Sequence, residues 1–329
     1  SFLKGFDYDK CMSMLPLTVS LPTHSKSYDI AFPDSFLELS AQLKNMLKNS
    51  KHVIITDKNV PKFCDWDFLQ QENCLALELG ETQKCWNTVE KILDFCFEQE
   101  LDRTATIVAV GGGILGDIAG FAAAVFLRGI NVIHIPTTLL AMVDSSLGGK
   151  TGVNCAYGKN LIGAIHQPQA IFCCKAFLDT LPETEIKNGL CEMIKHGILG
   201  DTKHFEDLEA LASPHPTADQ VFPLVADSMR VKIAKVQEDE REEKARMHLN
   251  LGHTFGHGIE LLYKFQISHG RAVAIGTCMA VDFAVQENLL EKETATRIKN
   301  IFEKYDIDLS CDFAETEIRQ AMKHDKKRR

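Results

Sequence analysis

The sequence lacks a long uninterrupted hydrophobic run, which argues against a membrane-spanning helix. The most apolar region, residues 118–147, contains Arg128, His134 and Asp144 as well as several glycine and proline residues. A helix that crosses a bilayer needs about 20 consecutive apolar residues. The first residues also lack the basic segment and apolar stretch of a secretory signal. We therefore expect no membrane partner, and we expect residues 118–147 to lie inside a folded core.

Paired cysteine motifs and an excess of basic residues are missing as well. The 11 cysteines are scattered and include no Cys-x-x-Cys pair, which favours reduced thiols and predicts a cytoplasmic protein. The formal net charge is -9, whereas proteins that bind nucleic acids carry clustered lysine and arginine. We therefore exclude nucleic acid as a partner. The one basic cluster, residues 323–329, is interpreted either as a solvated tail or as part of an anion site.

The length of the chain, 329 residues, exceeds the usual size of a single hydrophobic core, so we predict two domains. Residues 1–179 are predicted to form an α/β Rossmann-like nucleotide-binding domain, because alternating strand and helix patterns are typical of a doubly wound parallel sheet. Residues 180–329 are predicted to be a mainly α-helical metal- and substrate-binding domain. Pro182 disfavours helix in the residue before it. We therefore predict a hinge there and a ligand-binding cleft between the domains.

The individual elements are predicted from the spacing of apolar residues. Strands are expected at residues 52–56, 104–110 and 131–135, with helices between them at 82–99 and 118–126. Further helices are expected in the second half at residues 185–199, 221–240, 253–263, 272–287 and 293–305.

Three glycines, Gly111, Gly112 and Gly113, follow the strand predicted at residues 104–110 and precede a helix. Glycine lets backbone amides approach a pyrophosphate, and the N-terminus of a helix favours negative charge. The alternative is a tight turn between strand and helix that binds nothing. The acidic residue of a standard Rossmann fingerprint, expected about 20 residues further on, is missing. The pattern therefore favours a nucleotide site of a different kind.

Two histidines, His253 and His257, stand four residues apart and thus on one face of a helix, and His269 follows. This spacing suits a divalent metal such as zinc. Thr254 stands where a zinc peptidase has its catalytic glutamate, which disfavours peptide hydrolysis. A catalytic metal site needs about three protein ligands. Glu192 lies in an apolar segment and is the candidate carboxylate, with a core salt bridge to Lys195 as the alternative.

Basic and amide side chains are concentrated in predicted glycine-rich loops and in the second half of this acidic protein. Such groups match the oxygens of a phosphate or a carboxylate, so we predict an anionic small molecule as ligand. Taken singly, each could equally be a solvated surface residue. The group comprises Lys150, Lys159, Asn160, Lys232, Arg246 and Asn250, and Asp144 opens the first of these glycine-rich loops.

At these residues the sequence resembles the 3-dehydroquinate synthase family of sugar-phosphate cyclases. The matching stretches are Gly-Gly-Gly-Ile-Leu-Gly-Asp-Ile-Ala-Gly-Phe from Gly111, Pro-Thr-Thr-Leu-Leu from Pro136, Val-Asp-Ser-Ser-Leu-Gly-Gly-Lys-Thr from Val143 and Leu-Asn-Leu-Gly-His-Thr-Phe-Gly-His from Leu249. The resemblance extends from about residue 55 to residue 327. It implies that Glu192, His253 and His269 bind zinc, with cobalt as a possible substitute.

The resemblance also implies the other site residues. The implied NAD contacts are Asp57, Glu81, Lys84, Gly111, Gly112, Gly113, Asp117, Thr137, Thr138, Asp144, Lys150, Lys159 and Thr180. The implied substrate contacts, catalytic groups among them, are Asp144, Lys150, Lys159, Asn160, Lys195, Lys232, Arg246, Asn250, His257 and Lys326. Arg128 in such enzymes reaches the neighbouring subunit's site, which implies a homodimer.

The implied substrate is 3-deoxy-arabino-heptulosonate 7-phosphate, which carries a carboxylate and a phosphate. The implied reaction is transient oxidation by NAD, elimination of phosphate, re-reduction and intramolecular aldol closure to 3-dehydroquinate, a step of aromatic amino acid biosynthesis. Two alternatives remain open: a sister cyclase that acts on a sugar phosphate without a carboxylate, and a metal-dependent polyol dehydrogenase that releases reduced cofactor.

Two features depart from the family. Arg271 stands where the family usually has glutamate, so we expect the groups that orient the metal ligand His269 to be altered. Family members usually continue beyond the position of Arg329 with further strand and helix, so we expect residues to be missing after it.

Overall fold

A computed structural model describes residues 17–19, 27–64 and 66–322. The basic cluster at residues 323–329, and Lys326 with it, lies outside the described residues. No described helix is both long and apolar enough to cross a bilayer.

Seven strands form the main sheet, in the order β1-β2-β9-β6-β5-β3-β4. All neighbours in it are parallel except β1 and β2, which confirms the prediction of a parallel Rossmann-like sheet. The strands of the chain are β1 (Leu17–Val19), β2 (Tyr28–Ala31), β3 (His52–Asp57), β4 (Cys74–Leu77), β5 (Thr106–Gly111), β6 (Asn131–Pro136), β7 (Lys150–Cys155), β8 (Gly158–Ile165) and β9 (Ala170–Phe172).

The helices cover both faces of the sheet and build the second half of the chain. They are α1 (Phe36–Leu47), α2 (Val60–Phe63), α3 (Trp86–Glu98), α4 (Gly113–Val125), α5 (Lys175–Leu178), α6 (Glu183–Gly200), α7 (Thr202–Ala210), α8 (Ala218–Val221), α9 (Val225–Glu238), α10 (His253–Leu262), α11 (His269–Gln286), α12 (Lys292–Lys304) and α13 (Glu315–Met322).

The sheet is buried on both faces because alternate residues of its central strands enter different hydrophobic clusters. Ile107 of β5 packs in one cluster together with Ile92 of α3 and Ile118 of α4. Its neighbour Val108 packs in the other, together with Leu39 of α1 and Leu190 of α6. Successive side chains of a strand point to opposite faces, so a continuous apolar strand is what a sheet covered on both sides requires.

Three predicted helices differ from the structure more than the other predicted elements do. The helix predicted at residues 118–126 already begins at Gly113, so the glycine turn is the first turn of α4. The helix predicted at residues 82–99 is α3, preceded by a separate 3₁₀ turn, Glu81–Gln83. The helix predicted at residues 221–240 is interrupted by the 3₁₀ turn Phe222–Leu224. Pro223 in that turn has no N–H to donate, which breaks the helical ladder.

The segment predicted as glycine-rich loops after residue 149 is instead an antiparallel hairpin of β7 and β8. Gly152 and Gly163 face each other across it, and a Cβ on Gly163 would overlap the Thr151 carbonyl. The glycines therefore permit close strand approach rather than loop flexibility. Lys150 consequently opens β7, and Lys159 lies on β8.

Candidate active site

One cleft of about 1380 Å³ lies between the sheet and the second half of the chain. Asp57, Gly112 and Thr137 at its wall follow or end three neighbouring parallel strands, the usual ligand position in such sheets. Most of the predicted site residues line it: Asp57, Glu81, Lys84, Gly112, Gly113, Asp117, Thr137, Thr138, Asp144, Lys150, Lys159, Asn160, Thr180, Lys195, Lys232, Arg246, Asn250, His253, His257 and His269.

Of the predicted site residues that the structure describes, three do not line the cleft. Gly111 is buried at the end of β5, and Glu192 is completely buried behind the cleft wall. Arg128 is exposed, and it ends a 3₁₀ turn with a φ of 69°. Arg128 therefore does not line the cleft of its own chain.

The wall nearest the sheet is formed by the N-terminus of α4. Gly112 and Gly113 open the helix at the cleft surface, so the first amides of the helix offer partial positive charge to an anion. Packing imposes a second requirement for glycine, because a Cβ on Gly113 would lie 2.8 Å from Ser145 Oγ. Next to this turn, buried Lys84 forms an ion pair with Asp117. Burial raises the pKa of Asp117, and Lys84 opposes that effect.

The opposite wall contains the candidate metal centre. One ligand atom from each of Glu192, His253 and His269 lies within 4.8 Å of the other two. Glu192 belongs to α6, whereas the histidines are the first residues of α10 and α11. Asn188, one turn before Glu192, connects α6 to α11. The Oδ1 of Asn188 accepts a hydrogen bond from the Gly270 amide at 2.5 Å.

Both histidines present the same nitrogen to Glu192. His253 Nε2 lies 3.6 Å from Glu192 Oε1, and His269 Nε2 lies 3.3 Å from it. His253 Nδ1 faces the Leu251 carbonyl at 3.2 Å. A carbonyl oxygen only accepts, so Nδ1 carries the hydrogen and Nε2 has the free lone pair that a metal needs. His269 Nδ1 faces Glu260 Oε1 at 3.5 Å.

Glu192 fits a metal and a lysine at the same time. Among the residues that the structure describes, its carboxylate oxygens accept no well-directed hydrogen bond, although Lys195 Nζ contacts Oε2. A fully buried carboxylate with unused lone pairs is costly unless a cation completes its surroundings. The salt bridge with Lys195, considered above as the alternative to metal binding, is present, and it does not compete with metal binding because Oε1 faces the two histidines.

The pKa values reflect this crowding of charges. Burial lowers the pKa of His269, but the nearby carboxylates of Glu192 and Glu260 outweigh it and raise that pKa to about 10. Burial and Lys195 lower the pKa of His253 well below its usual value. Burial raises the pKa of Glu192, yet Lys195 and both histidines hold it well below the usual range. The cluster therefore favours a second positive charge close to Glu192.

The floor of the cleft carries the predicted anion-binding groups. Lys232 Nζ lies 2.7 Å from Asp144 Oδ1. Burial raises the pKa of Asp144, but Lys232 lowers it far below the usual value. Arg246 is 2% exposed, and its Nη1 donates to the carbonyls of Gly148 and Glu240 at 3.1 and 2.7 Å. These contacts fix the guanidinium in place beside the cleft.

Two glutamates of the site were missed in the sequence. Glu242 forms an ion pair with Lys150 and accepts a hydrogen bond from Asn250 Nδ2 at 2.9 Å. It lies between helices, where no periodicity marks it. Glu260 follows His253 by seven residues, two helical turns, so helical spacing could have placed it on the same face.

The structure also places two other residues of the histidine region. His257, which the four-residue spacing paired with His253, lines the cleft but does not belong to the ligand group. Arg271 points away from the metal centre: its Nη2 lies 2.6 Å from Asp308 Oδ2, and its Nε donates to the Asp308 carbonyl. The expectation that the groups orienting His269 differ from those of the family stays a prediction.

The fold and the cleft define a class of enzyme in which a Rossmann-like sheet and a helical half enclose one site. One wall of that site suits a nucleotide, the opposite wall contains a metal centre, and the floor carries anion-binding groups. The family description "3-dehydroquinate synthase N-terminal" matches residues 74–188, and "3-dehydroquinate synthase C-terminal" matches residues 189–328. The chain belongs to the 3-dehydroquinate synthase family.

Known proteins agree with this assignment. The chain is 39% identical over 304 residues to a 3-dehydroquinate synthase of Prochlorococcus marinus, covering 88% of this chain and 84% of that protein. A solved 2-deoxy-scyllo-inosose synthase, complexed with carbaglucose-6-phosphate, NAD+ and Co2+, is 28% identical with a TM-score of 0.85, covering 95% of this chain and 88% of that one. The 2-epi-5-epi-valiolone synthase of Streptomyces hygroscopicus shares the fold, with 24% identity, a TM-score of 0.82 and coverage of 92% and 87%.

Proposed function

We propose that this chain converts 3-deoxy-arabino-heptulosonate 7-phosphate to 3-dehydroquinate and phosphate, as a phosphate-eliminating carbon–oxygen lyase. The observation that carries the proposal is the meeting, in one cleft, of the Glu192–His253–His269 cluster with buried basic groups on the floor. A substrate with vicinal hydroxyls between two anionic ends matches that arrangement. The family and the relative from Prochlorococcus marinus support the same activity.

Two bound groups are part of the proposal. NAD, bound along the wall formed by α4, supplies a hydride acceptor, and a divalent ion at the cluster acidifies substrate hydroxyls. The inosose synthase complexed with NAD+ and Co2+ supports both. We assign zinc as the preferred ion because two imidazoles and a carboxylate are typical zinc ligands, and cobalt as its substitute.

We assign the wall residues to NAD by their position. Gly112, Gly113 and the amides of α4 face the pyrophosphate, and the Lys84–Asp117 pair closes that end of the wall. Lys159 lies on the hairpin and forms an ion pair with Glu81, and we assign both to NAD. The remaining NAD contacts are Asp57, Thr137, Thr138 and Thr180, together with Gly111 through the turn that it begins.

The floor residues bind the two ends of the substrate. We assign Lys232 and Arg246 to the carboxylate, because both are buried and held in place before any ligand arrives. Lys150, Asn250 and His257 are assigned to the phosphate together with Asn160, and Lys326 is proposed to join them. We assign Asp144 and Lys195 to the protons of the reacting hydroxyls. Asp144 stays ionised beside Lys232 and is therefore able to accept such a proton.

Arg128 supports a homodimer in the proposal. Its side chain is exposed and does not line its own cleft, so a role at a catalytic centre requires the cleft of a second copy. The cysteines of the described part form no disulfide with one another, which supports a reducing compartment, the cytoplasm.

Phosphate release tests the proposed activity. Purified protein receives the heptulosonate phosphate and catalytic NAD, with and without a chelator, while NADH absorbance is followed. Release that the chelator abolishes, without accumulation of NADH, supports the proposal. Steady accumulation of NADH on a polyol would indicate a dehydrogenase.

A second comparison separates the sister cyclases. Sedoheptulose 7-phosphate and glucose 6-phosphate lack the carboxylate that Lys232 and Arg246 are assigned to bind. Lys232→Met is expected to raise KM for the heptulosonate phosphate strongly. Faster phosphate release from either sugar phosphate than from the heptulosonate phosphate would contradict the assignment.

A further inference from the structure

Glu260 lies behind the metal centre, on the side of His269 that faces away from Glu192. Its side chain is 8% exposed, and its Oε1 is 3.5 Å from His269 Nδ1. His269 Nε2, on the opposite edge of the ring, is 3.3 Å from Glu192 Oε1. The imidazole is thus held between two carboxylates, one at each nitrogen.

The two histidines of the cluster are oriented in the same way by different partners. His253 Nδ1 faces the backbone carbonyl of Leu251, and His269 Nδ1 faces Glu260. In both, the acceptor at Nδ1 leaves Nε2 directed at Glu192. A backbone carbonyl is fixed by the chain itself, whereas a glutamate side chain needs its own support. Lys159 provides it, with Nζ 3.7 Å from Glu260 Oε1 and 3.5 Å from Glu81 Oε1.

We propose that Glu260 is a positioning residue for the metal ligand His269. Its carboxylate accepts a hydrogen bond from Nδ1, which fixes the tautomer and the ring so that Nε2 presents its lone pair to the ion. Partners of this kind also make the imidazole a better donor, and their loss typically weakens metal binding about 10- to 100-fold. The inference rests on the proposed metal site and adds to it the residue that fixes the orientation of one ligand, His269.

Zinc affinity tests the role without substrate or NAD. The metal-free protein and its variants compete with a chromophoric chelator for Zn2+, and the apparent Kd is compared. Glu260→Ala is expected to weaken binding about 10- to 100-fold. Glu260→Gln keeps a carbonyl oxygen that accepts from Nδ1, so it should recover part of the affinity. Equal losses in the two variants, or no loss in Glu260→Ala, would overturn the proposal.

Arg271→Gln is the matched control. Arg271 lies two residues from His269, yet its guanidinium contacts Asp308 and Ser310, so its loss should leave zinc affinity unchanged. Lys159→Met removes the cation behind Glu260 and should weaken binding less than Glu260→Ala. A larger effect in Lys159→Met would show that charge balance, rather than orientation, sets the affinity, and would overturn the inference.

Cobalt gives a readout that a merely structural role would not change. The visible absorption bands of bound Co2+ depend on the ligand set and its geometry. Glu260→Ala should shift them, and Glu260→Gln should shift them less. If Glu260→Ala loses its helical circular dichroism, the experiment uses Glu260→Asp instead. Its side chain is shorter by one methylene, so the carboxylate is moved away from His269 Nδ1 without leaving a cavity.

The outcome for the metal site itself is separable. His269→Ala is expected to lose most zinc affinity. If His269→Ala weakens binding and Glu260→Ala does not, the proposed function stands and this inference fails. If neither variant weakens binding, the metal centre of the proposed function is wrong and the inference fails with it.

Discussion

Glu192 is the residue on which most charges of the site converge. It is completely buried, contacts Lys195 on its own helix, and faces His253 and His269 on two others. Removal of one member of a buried pair leaves the other charge uncompensated, which costs about 3 to 5 kcal/mol. The lysine and the ion therefore share one carboxylate.

Lys195→Met and Glu192→Gln are expected to differ in their response to zinc. Each should lower the free energy of unfolding of the metal-free protein by about 3 kcal/mol, since each leaves a buried charge unpaired. Added zinc should restore much of that loss in Lys195→Met, because the ion neutralises Glu192. Glu192→Gln lacks the carboxylate ligand and should gain little. Denaturant titrations with and without zinc measure both, and equal recovery would contradict a shared carboxylate.

His134 is a second residue whose burial has a measurable effect. It lies in β6, is 5% exposed, and burial followed by the charge of His166 lowers its pKa to about 4. The unfolded chain, with a histidine pKa of about 6.5, binds the proton more readily between these values. Stability should therefore fall as the pH drops from 7 to 5, with His134 contributing about 2 kcal/mol of that loss.

His134→Gln isolates this contribution. The variant should lose less stability between pH 7 and pH 5 than the unsubstituted protein, whatever its stability at pH 7. Urea unfolding at the two pH values gives the difference. The same pH dependence in both proteins would mean that His134 is protonated inside the fold.

At the scale of elements, the hairpin of β7 and β8 carries Lys150 and Lys159 to the cleft. Its strands approach closely because Gly152 faces Gly163, and a side chain at either position would meet the opposite backbone. The glycines were visible in the sequence, but their role was not. Strand pairing across the chain decides which glycine is needed for space and which for a turn.

Gly163→Ala should separate the strands of the hairpin. The added Cβ would overlap the Thr151 carbonyl, and overpacking of this kind costs about 1 to 3 kcal/mol. The melting temperature should fall, and NAD should bind more weakly because Lys159 shifts. Gly116→Ala is the matched control: its Cβ would meet His134 at 3.6 Å, an ordinary contact, so it should melt at or above the temperature of the unsubstituted protein. A Gly163→Ala protein that melts unchanged would contradict the close pairing.

Across the whole molecule, three helices meet at one candidate ion. Because α6, α10 and α11 each contribute a ligand, bound zinc should join elements whose ligands are 77 residues apart in sequence (269 − 192). Binding to the folded state alone stabilises it by about 2.7 kcal/mol at a concentration 100-fold above Kd. The metal is thus expected to stabilise the folded state in addition to its role in the reaction.

Chelation should lower the melting temperature of the zinc-loaded protein, and zinc should restore it. His253→Ala is expected to melt at one temperature with or without the metal. The control is His248→Ala, which removes an exposed histidine five residues earlier and should retain the full shift. Differential scanning fluorimetry measures all three. A chelator shift that persists in His253→Ala would place the ion elsewhere.

Much of this arrangement was predictable from the sequence, because it depends on local patterns. The central strands follow from continuous apolar runs such as residues 106–110, and the candidate metal ligands from the histidine pattern and the family resemblance. The features that the sequence did not predict depend on contacts between residues that are far apart along the chain. Glu242 reaches Lys150 across 92 residues, and Arg271 turns to Asp308 rather than to His269. Such contacts are set by tertiary packing, which a single sequence does not display.

The order of strands has a consequence for the time course of synthesis. β2 lies between β1 and β9 in the sheet, and Ile30 pairs with Ile171. A ribosome adds roughly 5 to 20 residues per second, so β2 waits on the order of 10 seconds for its neighbour to be made. During that interval β2 presents an unpaired edge, which a chaperone would shield. The nascent chain should therefore close this side of the sheet only after β9 has left the exit tunnel.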